Sequence, residues 1–468
     1  MNARPTDPDR GPVDPSGAAR DPNGQPDGPN GERADSNRGP DGTNRGPDGT
    51  NCGPDGTNCE PDGPHRQPPG RFESLRWRVL RWCEVPDAWW RCWERLRGCQ
   101  PRFLPPFFSP RFADAVERSR GDVWLAVGQR ARSTTTVSEG GDRTVDAAVD
   151  PEGILDEGSI VAFFPFHRSG AIGVPVGRFL NDAHDVVRPP GLKIDWLELA
   201  DACGVAAWDL HALPLPSLEL VQRHRLRSVR SFSSDLGDDS ESFLKRLQQE
   251  HRTLAKQPQK SRKLGREVGP LRLEVDCRRR DVLHRAVEWK RQQYRRTYIL
   301  DLFLPDWTRR LVEQLHQPAD WPDRGESFAL DRTPLRGLLS VLWAGDEVVA
   351  AHVGMIEQGR LHYWFPSYDP AFGRYSPGTA LYTELVRSGT SVGIHQIDMG
   401  YGEQPYKEKQ TSLTTAYGRG RMTDSRRLRW QYEMATGSQA VAKRLPMKHW
   451  AKRIWRSCRP EAGIGKLR

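Results

Sequence analysis

The chain has 468 residues, a formal net charge of +9, eight cysteines and 36 % apolar residues. That length exceeds one ordinary domain and suits two folded units plus a tail. The positive balance excludes an acidic, solvating chain and favours an anionic partner: nucleotide phosphate, an acidic membrane surface or nucleic acid.

Residues 1–70 are rich in Pro, Gly, Asp and Asn, and from Arg38 a seven-residue unit repeats as RGPDGTN, RGPDGTN, CGPDGTN and CEPDGPH. The repeat has no apolar a and d positions, so it cannot offset its chain entropy by burial and is expected to be a disordered tail. No basic-then-apolar leader opens the sequence, and no apolar run approaches the roughly 20 residues that cross a bilayer. The cysteines show no CxxC spacing and no Cys/His cluster, which predicts reduced thiols and no metal.

In the segment 71–102, Leu75, Trp77, Leu80 and Trp82 alternate with Arg, and Trp89, Trp90, Trp93 and Leu96 follow Pro86. The pattern predicts two short basic amphipathic helices, serving as a docking element or a cap on the next unit. From Phe107 a globular pattern starts: a helix over FFSPRFADAVERS, buried strands at 123–127 and 160–164 around a polar insertion at about 130–158, another strand at 172–176, a helix in LKIDWLELADAC and a strand in AAWDLHALP. Residues 236–300 turn helical and basic. Val282, Leu283, Ala286, Val287 and Tyr294 share one face of the second of these helices, with Asp281 as its expected N-cap. The basic runs at 223–230 and 278–280 suit either phosphate or a solvated surface.

The clearest pattern lies between 335 and 400. Three antiparallel strands at about 335–343, 347–357 and 360–366 are joined by turns at Gly345-Asp346 and Gln358-Gly359. A loop carrying Arg374 leads to Ser376, Pro377, Gly378 and Thr379, which open the helix ALYTELVRS, and HQIDMG returns as a strand. Ser376 stands where an N-cap belongs and Pro377 suits the first helical position. The amides of Gly378, Thr379 and Ala380 are expected to form an anion cradle that Arg374 supplements. The stretch 398–407 adds Asp398 at a strand end, Gly400 and Gly402, then Tyr406 and Lys407. Tyr406 could serve as a general acid and Lys407 could stabilise developing negative charge. Glu403, His352 and Asp398 are the candidate bases; for His352, inside a strand, the alternative is a satisfied core histidine. No Ser-His-Asp or Cys-His signature supports a covalent intermediate.

Residues of about 103–420 resemble the CelD/BcsL-type acetyltransferases of the GNAT superfamily, first named for cellulose biosynthesis. The likeness is carried by SPRFADA (109–115), FPFHRSGAIGVPVGRFLNDAHDVV (164–187), WKRQQYRRT (289–297), VVAAHVGMIEQGRLHYWFPSYDPAFGRYSPGTAL (348–381) and IDMGYGEQPYK (397–407). The resemblance implies an α+β fold of two tandem GNAT-like units, similar to FemABX transferases, with mixed and mostly antiparallel sheets flanked by helices. It implies units at 103–235 and 236–425, while the composition of 426–468 marks it as a basic C-terminal segment. It also implies acetyl-CoA or another acyl-CoA as cosubstrate, bound by the second unit at Arg374, Ser376, Gly378, Thr379 and Ala380. RYSPGT keeps Arg374 and Gly378 but lacks the first glycine-rich turn of the usual GNAT phosphate loop (Q/R-x-x-G-x-G/A). The implied reaction is direct acyl transfer to an amine or hydroxyl, on a polysaccharide or envelope precursor. The implied location is the cytoplasm, with peripheral contact at the inner membrane face. An aminoacyl-tRNA-dependent transferase of FemABX type and a non-catalytic scaffold are the alternatives; nucleic acid is not the expected partner.

Overall fold

The computed structural model describes residues 75–130, 157–297, 299–316, 330–402 and 404–444. The seven-residue repeats, Glu403 and the basic stretch 445–468 lie outside them.

One order of elements runs twice along the chain. The first run is β1 (Leu75–Arg81), α1 (Ala88–Gly98), α2 (Pro110–Arg120), β2 (Trp124–Arg130), β3 (Ile160–Ser169), β4 (Ile172–Pro175), α3 (Trp196–Ala202), β5 (Ala207–Pro214), α4 (Leu218–His224) and β6 (Arg227–Asp235). Three connecting helices follow, α5 (Ser240–Glu250), α6 (Arg252–Ala255) and α7 (Gln257–Glu267). The second run is β7 (Leu271–Glu274), α8 (Arg280–Arg296), α9 (Asp306–His316), β8 (Arg336–Ala344), β9 (Glu347–Glu357), β10 (Arg360–Tyr368), α10 (Pro377–Ser388), β11 (Gln396–Tyr401), α11 (Pro405–Gln410) and β12 (Leu413–Met422). A last helix, α12 (Arg426–Arg444), closes the described chain.

All the strands join one sheet, ordered β1-β2-β3-β4-β5-β12-β6-β11-β10-β9-β8-β7. Every neighbouring pair is antiparallel except β4/β5 and β10/β11, which occupy equivalent places in the two runs. At the centre the runs exchange their last strands: β12 pairs with β5, and β6 pairs with β11. Neither run therefore has a complete sheet of its own.

The segment at 75–81 differs from its expected helix. Leu75, Trp77 and Val79 face one core and Leu80 the other, a period of two, and the strand pairs with β2 from Leu75↔Arg130 to Arg81↔Trp124. The helical expectation holds for Trp89 and Trp93, both buried in α1. Asp281 is also displaced from its expected role: α8 starts at Arg280, the N-cap is Arg279, and Asp281 lies in the first turn, bonded to Arg279.

A buried ion pair links the runs. Arg97 of α1, 4 % exposed, donates to the Phe103 carbonyl (2.9 Å), the Leu104 carbonyl (3.0 Å), Glu94 (2.9 Å) and both carboxylate oxygens of Glu357 at the end of β9. All the donors of its guanidinium fork are used. Removing one partner of such a pair strands the other charge, so Arg97→Met should lower the unfolding free energy by about 3–5 kcal/mol. The double variant Arg97→Met/Glu357→Met should recover most of that loss, as read from urea midpoints; equal losses in both would show that the pair is not coupled.

Candidate functional site

β10 and β11 pair in parallel only at Arg360↔Gln396, Leu361↔Ile397 and His362↔Asp398. Past that rung the register of β10 against β9 shifts between His362 and Phe365, that of β11 against β6 shifts between Asp398 and Gly400, and the two strands separate. Opening at the carboxyl ends of parallel strands, this fork is the place where such sheets accept ligands. It also leads directly into the turn before α10.

Three ionisable side chains meet where the fork opens. His362 is fully buried, with Nε2 3.2 Å from Asp182 and Nδ1 3.5 Å from Asp398. Burial opposes charge on the imidazole, but the two carboxylates outweigh it and hold its pKa up to about 9. Burial likewise works against the Asp398 carboxylate. His362, the Gly400 amide (2.7 Å) and Lys407 prevail and keep it below the usual carboxylate range. The side chains of Asp182 and Asp398 are 18 % and 17 % exposed, whereas His362 is not exposed at all. The imidazolium therefore bridges the carboxylates from behind, and the carboxylates face the opening.

Asp182 comes from the first run, whose own fork is closed. β4 and β5 pair at Ile172↔Ala207 and Gly173↔Trp208, and the chain that follows β4 then folds back into the gap. Val187 exchanges backbone hydrogen bonds with Phe163, and His184 donates to the Ala212 carbonyl (3.0 Å). The His184 Nε2 accepts from the amides of His211 (3.1 Å) and Ala212 (3.2 Å), while burial, and then His211, keeps its pKa far below the usual value. The Trp208 ring fills the remaining space, so close that a Cβ on Gly173 would lie 2.1 Å from it. The plug of the first fork thus presents Asp182 to the second.

Gly400 makes room for that carboxylate. Its φ is +69°, and a Cβ there would lie 2.1 Å from Asp182 Oδ2. Gly400→Ala therefore meets both backbone strain and a clash, and should cost about 1–3 kcal/mol in a denaturation measurement. It should also displace Asp182; unchanged stability would mean that the carboxylate yields freely.

Of the residues marked in the sequence, Asp398 lies in this cluster. Lys407 is near it, but its ammonium donates to the carbonyls of Tyr401 (2.8 Å) and Gly400 (3.4 Å) and is only 6 % exposed. Burial lowers its pKa against the pull of Asp182 and Asp398. Lys407 thus ties α11 to the end of β11. Tyr406 is 42 % exposed, and partial desolvation followed by Asp182 pushes its phenol up to about 12. His352 lies within the core, stacked on Tyr363 at 4.0 Å; burial first, then His316 and His362, hold its pKa well below the usual value.

The turn before α10 differs from the expected cradle. The chain leaves the 3-10 turn Pro370–Tyr375 with Ser376 in the left-handed region (φ 53°), which brings its carbonyl under the first helical turn. Thr379 (3.0 Å) and Ala380 (3.1 Å) donate their amides to that carbonyl, so of the expected amides only that of Gly378 has no acceptor among the described residues. The Ser376 side chain does not cap the helix; its Oγ accepts from Lys260 of α7 (2.8 Å). Arg374 bonds Glu267 (3.2 Å) and the Tyr375 hydroxyl. The backbone itself is open: a Cβ on Gly378 would meet only Tyr368, at 3.6 Å, and one on Gly373 only Tyr368, at 3.9 Å. With Lys260 and Arg374 beside it, the turn fits a phosphate group approaching the Gly378 amide.

Sequence reasoning missed Asp182, His362 and Lys290. Lys290 of α8 donates to the Pro366 carbonyl of β10 (3.0 Å), and burial, then Lys407, brings it down to about 8. Its signal was a lysine inside an otherwise apolar helix face. Asp182 sat within a stretch quoted only for its family likeness.

Residues 252–408 match the family model of the Acetyltransferase (GNAT) domain. The match starts at α6 and ends in α11, so it contains both the fork and the turn before α10. The first run repeats the element order of the second, and the fold is accordingly α+β with two tandem GNAT-like units. No curated protein matches the chain. Among solved structures, FemX is 9 % identical, covering 74 % of this chain and 96 % of that one at a TM-score of 0.44. A tandem GNAT protein from the clavulanic acid biosynthesis pathway is 10 % identical over 75 % and 98 % of the two chains at 0.37. L-PGS from Bacillus licheniformis is 14 % identical over 61 % and 87 % at 0.34. At these scores the likenesses assign no residue and no chemistry. Among the described residues no helix is long and apolar enough to cross a membrane.

Proposed function

We propose that the protein transfers an acyl group from acyl-CoA to an amine or hydroxyl within the β10/β11 fork. The observation that carries this reading is the fork itself, with an open glycine turn at its exit and the Asp182–His362–Asp398 cluster where it opens. The pyrophosphate would lie on the Gly378 amide at the start of α10, with Lys260, Arg374 and the region of Ser376 supplying charge and shape. The thioester arm would run between the separating strands.

In the transfer, the acceptor N or O forms a bond to the thioester carbonyl carbon and the C–S bond breaks. The acceptor proton passes to the carboxylate–imidazole cluster, where two carboxylates share one imidazolium and one further proton can be taken up. Tyr406, with its phenol near 12, is too weak an acid to protonate a thiolate of pKa about 8.5 outright. It would instead donate a hydrogen bond to the departing sulfur, and Lys407 would hold α11, which carries it. An acceptor on a polysaccharide or envelope precursor rests on the CelD/BcsL-type resemblance alone.

The cations of α7 beside the turn would suit another polyphosphate donor equally well, which keeps aminoacyl-tRNA as the second reading. Calorimetric titration with acetyl-CoA separates the two. Saturable binding that persists in salt and is lost with Lys260→Ala supports acyl-CoA. Its absence, with tRNA binding that collapses steeply with salt, supports the alternative.

A further inference from the structure

A cavity away from the fork lies in the first run. It measures about 200 Å³ and is bounded by the stretch after Asp185, the end of β5 and α4. His224, the last residue of α4, is 4 % exposed, and its buried Nδ1 has no hydrogen-bond partner. Across the cavity, Arg102 has a buried Nε without a partner and reaches Asp185 only at 3.7 Å. Asp185 is engaged more closely by Arg188, at 2.8 Å. Arg223, on the rim, has no ion-pair partner among the described residues. Leu213, Leu215 and Leu220 form an apolar wall, with Leu215 55 % exposed and held at a φ of 44°.

Asp195 and Glu219 also line the cavity, but Asp195 accepts from the Leu197 (2.8 Å) and Glu198 (3.3 Å) amides and Glu219 lies 3.9 Å from Lys193, which leaves Arg102 Nε and His224 Nδ1 as buried nitrogens without a partner. Burial comes first in lowering the Arg102 pKa below the usual guanidinium value; Asp185 opposes it and Arg188 adds to it. His224 is lowered by burial and then by Arg223. A buried donor left without an acceptor costs about 1–3 kcal/mol, which an anionic oxygen placed in the cavity would remove. The apolar wall asks for the opposite chemistry at the other end. A cavity of ~150 Å³ holds one benzene, so this one has room for a ring or short chain together with its head group.

We propose that this cavity is a binding site for a small organic anion, with a carboxylate or phosphate head between Arg102, Arg223 and His224 and an apolar body against Leu213, Leu215 and Leu220. The site is independent of the fork and does not rest on the acyl-transfer reading.

Calorimetric titration of the full chain with phenyl phosphate, benzoate and benzyl alcohol tests it. One or both anions should bind saturably, tighter than about 1 mM, and the neutral alcohol should not. Which anion binds identifies the head group. Arg223→Gln, a change on the exposed rim, should weaken binding at least about tenfold, His224→Gln should weaken it as well, and added CoA should not compete. Three results would overturn the proposal: no saturable binding of either anion, binding unaltered in Arg223→Gln and Arg102→Gln alike, or displacement by CoA, which would place the anion at the turn before α10.

Discussion

His362→Ala is expected to lower the unfolding free energy by about 3–5 kcal/mol near neutral pH, because it leaves Asp182 and Asp398 facing one another without the cation that separates them. Lys407 cannot substitute, since its ammonium is directed at the carbonyls of Gly400 and Tyr401. The loss should depend on pH in a defined direction. The imidazole is held up to about 9 in the folded protein, against an ordinary value near 6.5. The stabilisation it contributes is thus fully present below about pH 6.5 and is lost as pH rises through about 9, a difference on the order of 3 kcal/mol. Urea denaturation of the wild type and of His362→Ala at pH 6, 7.5 and 9 should show the gap narrowing as pH rises. A gap that does not change with pH would mean that His362 is neutral in the fold and that the carboxylates have another counter-charge.

The sequence disclosed those features that local chemistry dictates. The β8–β10 strands were legible because their apolar runs are punctuated by Gly345 and by Gln358-Gly359, and the structure gives those three residues φ values of 60°, 47° and 74°. The helix after Pro377 and the strand containing Asp398 followed from the same kind of signal. Leu75–Arg81 was not legible because Leu, Trp and Arg at short spacing satisfy a helix and a strand equally; pairing with β2 decides the matter, and no local residue announces that partner. The central exchange of β6 and β12 is likewise a choice between two equivalent edges. At the turn before α10 the sequence correctly predicted a helix start. The unforeseen step was the left-handed Ser376, which redirects its carbonyl to the amides of Thr379 and Ala380. The cluster in the fork was the least legible feature. Asp182 reaches His362 only because the first fork is plugged by its own chain, and that plug depends on His184, His211 and Trp208, none of which signals a site when read along the sequence.

Asp182→Asn should reduce acyl transfer to the acceptor by about 10²–10³-fold in kcat while leaving the Kd for acyl-CoA unchanged. The carboxamide keeps the shape of the side chain beside Gly400 but can no longer take up a proton. It also deprives His362 of one of the two charges that keep it protonated, so the pH profile of turnover should shift towards acid. Asp398→Asn should act in the same direction and cost more stability, because Asp398 also accepts from the Gly400 amide at 2.7 Å. Tyr406→Phe should have a smaller effect, about tenfold, if its hydroxyl only donates a hydrogen bond to the leaving sulfur. The pattern discriminates because the two carboxylates come from different runs of the chain. Loss of turnover in Asp398→Asn but not in Asp182→Asn would reduce the first run to a scaffold. Loss in both, with donor binding intact, would make the catalytic centre a joint product of the two runs, and would explain physically why the first fork is filled by its own chain.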